Sequence, residues 1–140
     1  MSDREILNKL FREHKITAED MSLIDSLYSV YQDNIYFTGS AKWGCSAFND
    51  IDFFLNDSCD CLQNESRFAG CFEPRNGGSL GSLKFKNSNV NIICLRKVDV
   101  LIWKAATRMM AELPPIENKN TRCAMFEILR SVARVAIFNS

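Results

Sequence analysis

Between Tyr36 and Leu55 the chain reads YFTGSAKWGCSAFNDIDFFL, and this stretch limits the fold more than any other. Asp50 and Asp52 stand two apart at the head of an apolar run that ends at Leu55. Residues two apart on a strand share a face, so both carboxylates project to one side together with Phe54, while Ile51, Phe53 and Leu55 project to the other. The second set can pack on helices and leave the acids on the opposite face. Ahead of this strand, Ile35 to Thr38 is a short β-rich run ending in Gly39-Ser40, and a turn of helix is expected around Ala41 to Cys45. A Gly-Ser turn opposite two acids offers backbone N–H groups and a hydroxyl. Such a combination can hold a divalent metal and a phosphate chain.

The flanking sequence is helical in period. Ser2 and Glu5 have the spacing of a capping box for a helix to about Glu13, with Ile6, Leu7, Leu10 and Phe11 as its apolar stripe. A second helix starts at Thr17 to Asp20 and buries Met21, Ile24, Leu27, Tyr28 and Tyr31 before the turn at Asp33-Asn34. After the acidic strand, Asn56 to Asn64 is a polar loop, with a short helix expected around Leu62 to Ala69. Cys71 to Glu73 is a short strand stopped by Pro74, and Asn76-Gly77-Gly78 is a turn. Leu80 to Lys86 and Val90 to Leu95 then form a pair of strands about Asn87-Ser88-Asn89. A helix from about Val98 to Leu113 is expected to bury Val98, Leu101, Ile102, Ala105, Met109 and Leu113, and Pro114-Pro115 ends it. Thr121 can cap a last helix, with Met125, Ile128, Leu129, Val132 and Ala136 inside and Arg122, Arg130 and Arg134 off that face. The expectation is one α+β domain over 1–140: N-terminal helices in 1–34, a small mixed sheet in 35–95, and C-terminal helices in 96–140 that pack it.

Composition excludes several classes of chemistry. No unbroken apolar stretch approaches a membrane span, and the charged start MSDREILNKLFREHK is not a signal peptide, so a cytoplasmic location is expected. The formal net charge is zero, unlike a protein that coats DNA. The six cysteines read as free, mostly buried thiols, and Cys59-Asp60-Cys61 lacks the second pair of ligands that zinc needs. His14, the only histidine, lies in a charged helical segment away from any nucleophile motif, which argues against Ser-His-Asp or Cys-His chemistry. The GGSLG turn lacks the Gly-Lys-Ser/Thr ending of a P-loop. Arg75, Lys84, Lys86, Arg96, Lys97, Lys104 and Arg108 are the candidates for a basic face, with ordinary solvated charge as the plainer reading.

Gly39-Ser40, then Gly44, then Asn49-Asp50-Ile51-Asp52-Phe53 resembles the nucleotidyltransferase signature of the DNA polymerase beta superfamily, and in size the chain resembles the minimal nucleotidyltransferases of bacteria. The closing runs WKAAT and NKNTRCAMFEILR resemble small phage-encoded members. The resemblance implies a nucleotidyltransferase-like fold and Mg²⁺-dependent transfer of a nucleoside monophosphate from a nucleoside triphosphate to a hydroxyl on RNA, protein or a small molecule. It implies that Gly39 and Ser40 hold the triphosphate and that Asp50 and Asp52 hold the metal. Lys42 lies near the turn, either as a phosphate ligand or as a solvated lysine. Three departures stand out: Thr38 precedes Gly39 where many members have glycine, Asn49 replaces Ser or Thr, and the third acid expected on a later strand is Asn91, or with a poorer fit Asn89. An amide oxygen can touch a metal but is neutral and a poor base. Glu73 is the one substitute acid nearby in sequence. The resemblance therefore leaves a second expectation open, a catalytically impaired module of the same fold that binds a protein or nucleic acid.

Overall fold

The computed structural model describes residues 1–139, which form six α-helices and a five-stranded mixed sheet. The N-terminal helices begin where their caps dictate. Ser2 and Glu5 close a capping box that starts α1 (Asp3–Arg12), and the Thr17 hydroxyl accepts the Asp20 N–H to start α2 (Ala18–Tyr31). A 3₁₀ turn at Gln32–Asn34 leads into β1 (Ile35–Thr38). The helical turn after it begins earlier than the apolar residues suggest, as α3 (Gly39–Lys42), because the positive φ of Gly39 bends the chain at once. Then come β2 (Ile51–Leu55), α4 (Cys59–Asn64), β3 (Phe72–Arg75), β4 (Ser82–Phe85), β5 (Val90–Cys94), α5 (Lys97–Glu112) and α6 (Lys119–Phe138).

The strand order is β1-β2-β5-β4-β3, with β2 and β5 parallel and every other pair antiparallel. One face carries Phe53, Leu55 and Ile92, which pack with Leu7 of α1 and Ile24 and Leu27 of α2 into the main core. Tyr28 meets Phe53 edge-on, and Phe37 stacks on it at 5.2 Å. Ser88, in the turn before β5, donates to Asp20 at 2.6 Å and accepts the Val90 N–H, which ties that turn to the start of α2. The other face is covered at one end only. There Phe54 packs with Leu95 and Val100, and Trp103 of α5 leans on Phe54 at 5.6 Å. The uncovered end of this face holds Asp52 and Asn91.

Several elements depart from expectation for identifiable reasons. Helix α4 starts at Cys59, because Ser58 caps it through the Cys61 N–H, so no helix runs from Leu62 to Ala69. Pro74 does not stop β3. It lies within that strand, paired with Leu83, and an edge strand tolerates the missing N–H. Phe11, expected in the first stripe, is exposed. Helix α6 is capped by Asn118 through the Thr121 N–H, not by Thr121.

The two C-terminal helices are rotated from their expected faces. Helix α5 buries Val100, Ile102, Ala106, Thr107 and Met110, while Leu101 is half exposed. Helix α6 buries Ala133, and Ile128 and Val132 face solvent. The inward side of α6 instead carries Phe126, which meets both Trp43 and Trp103 at just over 5 Å, and Arg130, whose guanidinium lies 5.1 Å above both the Trp103 and Phe126 rings. Cation–π stacking draws an arginine to the side that hydropathy assigns to solvent. All six cysteines are free, with Cys45 and Cys94 buried and Cys61 and Cys123 exposed, so the thiols are less buried than their apolar neighbours suggest. No described helix is long and apolar enough to cross a membrane.

Candidate functional site

The site is built where β1 turns into α3 against the start of β2. The register sets Thr38 of β1 opposite Asp52 on one side and Asn91 of β5 opposite it on the other. Beyond Thr38 the chain turns at Gly39 with φ +86°, directly over the Asp52 carboxylate. A Cβ on Gly39 would lie 2.6 Å from Asp52 Oδ2, so only glycine fits between turn and acid. The turn is anchored from behind by α5. The Thr38 and Thr107 hydroxyls are 2.8 Å apart, and the Trp43 indole donates to the Thr107 carbonyl.

Asp50 and Asp52 stand at the junction of two lobes of one groove. One lobe, of about 410 Å³, is lined by Gly39, Ser40, Trp43, Lys119, Arg122 and Phe126 among others. The second, of about 630 Å³, is lined by Arg75, Asn76, Gly78, Ser82 and Asn91. Both lobes include the two acids, Ile93 and Trp103. Asp50 precedes the first residue of β2 and is exposed, whereas Asp52 lies deeper. Burial pushes the Asp52 carboxyl up from 3.8 to about 6, against the Asn91 hydrogen bond. The Asp50 charge raises it further, and Arg122 and Lys119 oppose that rise.

Asn91 occupies the place of the expected third acid. Its amide nitrogen donates to Asp52 Oδ1 at 3.2 Å, and its own oxygen is buried with no hydrogen-bond partner. Asn89 lies in the turn before β5, where its carbonyl accepts the Ile51 N–H, and it does not line the groove. Glu73 is on the edge strand β3, paired with Arg75 and Lys84, and is likewise outside the groove. Among the described residues no three His, Cys, Asp or Glu side chains are grouped to hold a metal.

The structure thus brings Gly39, Ser40, Asp50, Asp52 and Asn91 together, and it takes Lys42 elsewhere. The Lys42 ammonium pairs with Asp3 of α1 at 2.5 Å and does not line either lobe. The cations that do line the first lobe, Lys119 and Arg122, were not legible as site residues. Arg122 donates to the carbonyls of Ile116 and Glu117, and Glu117 in turn accepts from the N–H and hydroxyl of Ser46. These bonds tie the start of α6 to the loop that carries Asp50. The one available signal was Pro114-Pro115, which returns the chain toward the sheet. Of the basic-face candidates, Arg75 lines the second lobe, whereas Arg96 pairs with Asp99 and Lys104 lies over the Tyr36 ring.

Chemically, the groove sets two carboxylates beside Lys119, Arg122 and aromatic rings in the first lobe and Arg75 in the second. Phosphates can lie along such a groove when a divalent cation separates them from the acids. No family model, curated protein or solved structure matches the chain.

Proposed function

We propose that the chain is a nucleotidyltransferase-like protein that binds a nucleoside triphosphate in this groove and moves its nucleoside monophosphate to an acceptor hydroxyl with Mg²⁺. The observation that carries the reading is the contact of Gly39 with Asp52, where a glycine turn and a buried carboxylate are fitted to each other with no room for a side chain. The residues fit Mg²⁺. It commonly takes one or two protein carboxylates and completes its shell with phosphate oxygens and water, which is what Asp50 and Asp52 would leave for it. When bound, it supplies the charge that offsets repulsion between the phosphates and the acids. Gly39 and Ser40 would cradle the triphosphate, and Lys119 and Arg122 on the facing wall would meet its outer charge. Trp43, Trp103 and Phe126 give the groove an apolar wall against which the nucleoside would lie. Lys42, held by Asp3, has no part in it. The acceptor is an RNA end, a protein side chain or a small molecule. Transfer of label from an α-phosphate-labelled nucleoside triphosphate tests the reading: Asp50→Asn with Asp52→Asn should lower incorporation by at least about a hundredfold, and unchanged incorporation sinks it.

A second reading is favoured by one specific observation. Asn91 presents its N–H to Asp52, an orientation suited to a carboxylate without a metal. A module of the same fold that grips a protein or nucleic acid without turnover would retain this pair. Titration calorimetry with ATP and GTP, with and without Mg²⁺, separates the two, since binding that ignores the metal favours the second.

A further inference from the structure

Two thiols meet beside the glycine turn that joins β3 to β4. Cys59, the first residue of α4, is half-buried, and Cys94, the last residue of β5, is fully buried. Their sulfurs are 3.6 Å apart. The two residues are distant in sequence, so only the fold makes the pair. Cys45 and Cys71 are engaged differently, each with a backbone carbonyl, those of Ile116 and Ala69.

The turn from Gly77 to Gly81 is fitted to this pair. A Cβ on Gly81 would lie 2.8 Å from Cys59 Sγ, and one on Gly78 would lie 2.6 Å from the Cys94 carbonyl oxygen. The Cys94 N–H donates to the Gly81 carbonyl, the Leu80 N–H donates to the Cys94 carbonyl, and the Cys59 thiol donates to the Leu80 carbonyl at 3.3 Å. On its other side Cys94 is paired with Leu55 of β2. Cys94 is thus fixed by the sheet, and the bare Gly81 leaves room for the Cys59 sulfur to approach it. A disulfide needs sulfurs about 2.05 Å apart, so the pair has to close by about 1.5 Å, a distance within reach of side-chain rotation. Burial pushes the Cys94 thiol up, and its contact with Cys59 acts in the same direction. Cys94 therefore stays protonated and shielded, and Cys59 is the sulfur that a dissolved oxidant meets first.

We propose that Cys59 and Cys94 form an oxidation site, a dithiol that hydrogen peroxide converts into one reversible disulfide. The Cys59 sulfur attacks the peroxide: an S–O bond forms, the O–O bond breaks, and water leaves a sulfenic acid behind. The Cys94 sulfur then attacks the Cys59 sulfur. An S–S bond forms, the S–O bond breaks, and the hydroxyl leaves with the Cys94 proton as a second water. Two thiols are oxidised and one peroxide is reduced to two waters. The disulfide has no S–H, so the Leu80 carbonyl loses its thiol donor, and the link closes a loop that contains β3 and β4. Neither cysteine lines the groove at Asp50 and Asp52, so the site does not depend on the proposed function.

Treatment of the reduced full chain with a small molar excess of hydrogen peroxide, then alkylation in denaturant and mass spectrometry of its peptides, tests this. The wild type should yield a peptide pair joined through residues 59 and 94, which dithiothreitol separates. Cys61→Ser, which removes the exposed neighbouring thiol, should yield the same pair. Cys59→Ser, whose hydroxyl can still donate to Leu80, should melt with the reduced wild type and yield none. The oxidised wild type should melt about 10 °C above the reduced form, because the link closes a long loop, and peroxide should leave the melting of Cys59→Ser unchanged. Recovery of Cys59 and Cys94 as alkylated thiols overturns the proposal. So does a Cys59 that passes to the sulfinic acid without linking, or a Cys94 joined to a different cysteine.

Discussion

Asp52 sits at a place where an ionised carboxylate costs stability. Its side chain lies against the Gly39 turn and Asn91, with Asp50 nearby, and it is pushed up to about 6 from an unfolded value near 3.8. The sign follows from linkage. Below the unfolded value the group is protonated in both states and folding incurs no penalty. As pH rises through the folded value the native state must hold a buried charge, and stability is lost. The gap corresponds to roughly 3 kcal/mol at most. Asp52→Asn keeps the shape and still accepts from Asn91, so it should raise the melting temperature by about 5–10 °C above pH 7 and leave it unchanged below about pH 3.5. A variant no more stable than wild type at neutral pH would show that the carboxylate is not strained by its burial. A group that weakens the fold it sits in is commonly retained for chemistry. The sequence indicates which side of the strand Asp52 faces. It does not indicate the burial, to which the turn at residue 39 and the amide at residue 91 contribute.

At the scale of elements, the β1–α3 turn and β2 form one unit. Thr38 is held by the Thr107 hydroxyl, Trp43 by the Thr107 carbonyl, and Gly39 lies on Asp52, so a short helix of four residues is fixed from two sides, by α5 and by β2. Gly39→Ala introduces both an unfavourable positive φ and a clash with Asp52 Oδ2, and should cost about 2–3 kcal/mol in denaturant unfolding. Adding Asp52→Ala removes the clash with Oδ2 and leaves the φ strain and a 3.2 Å approach to the Cβ at position 52. The double variant should therefore recover at least about 1 kcal/mol relative to the sum of the two single costs. Strict additivity would mean that the turn and the acid do not touch. Strands β1 and β2 were legible residue for residue, since a period of two with β-branched and aromatic residues admits few alternatives. Helix α6 was legible as a helix but not in its facing. It carries an aliphatic stripe and a second side with Phe126 and Arg130, and only contact with the tryptophans selects between them.

In the whole molecule the groove is a seam between two layers, the sheet with its N-terminal helices and the α5–α6 pair. A ligand across the seam, as the proposed function requires, would touch Asp50 and Asp52 from one layer and Lys119 and Arg122 from the other, and so would resist their separation. A nucleoside triphosphate with Mg²⁺ at a hundredfold over its dissociation constant should add about 2.7 kcal/mol, visible as a rise in melting temperature that EDTA removes. The same rise in EDTA would speak for the metal-independent module. By itself the sequence determined the helix starts at Ser2 and Thr17, strands β1 and β2, and the α+β class. Caps and periodicity act over a few residues and need no knowledge of the rest. Only the tertiary structure decided that Lys42 turns away to Asp3, that Lys119 and Arg122 reach the groove, that Asn91 donates to Asp52, and which side of α6 meets solvent. Each of these joins residues far apart in the chain, where the choice between two locally acceptable arrangements is made by the partner and not by the segment.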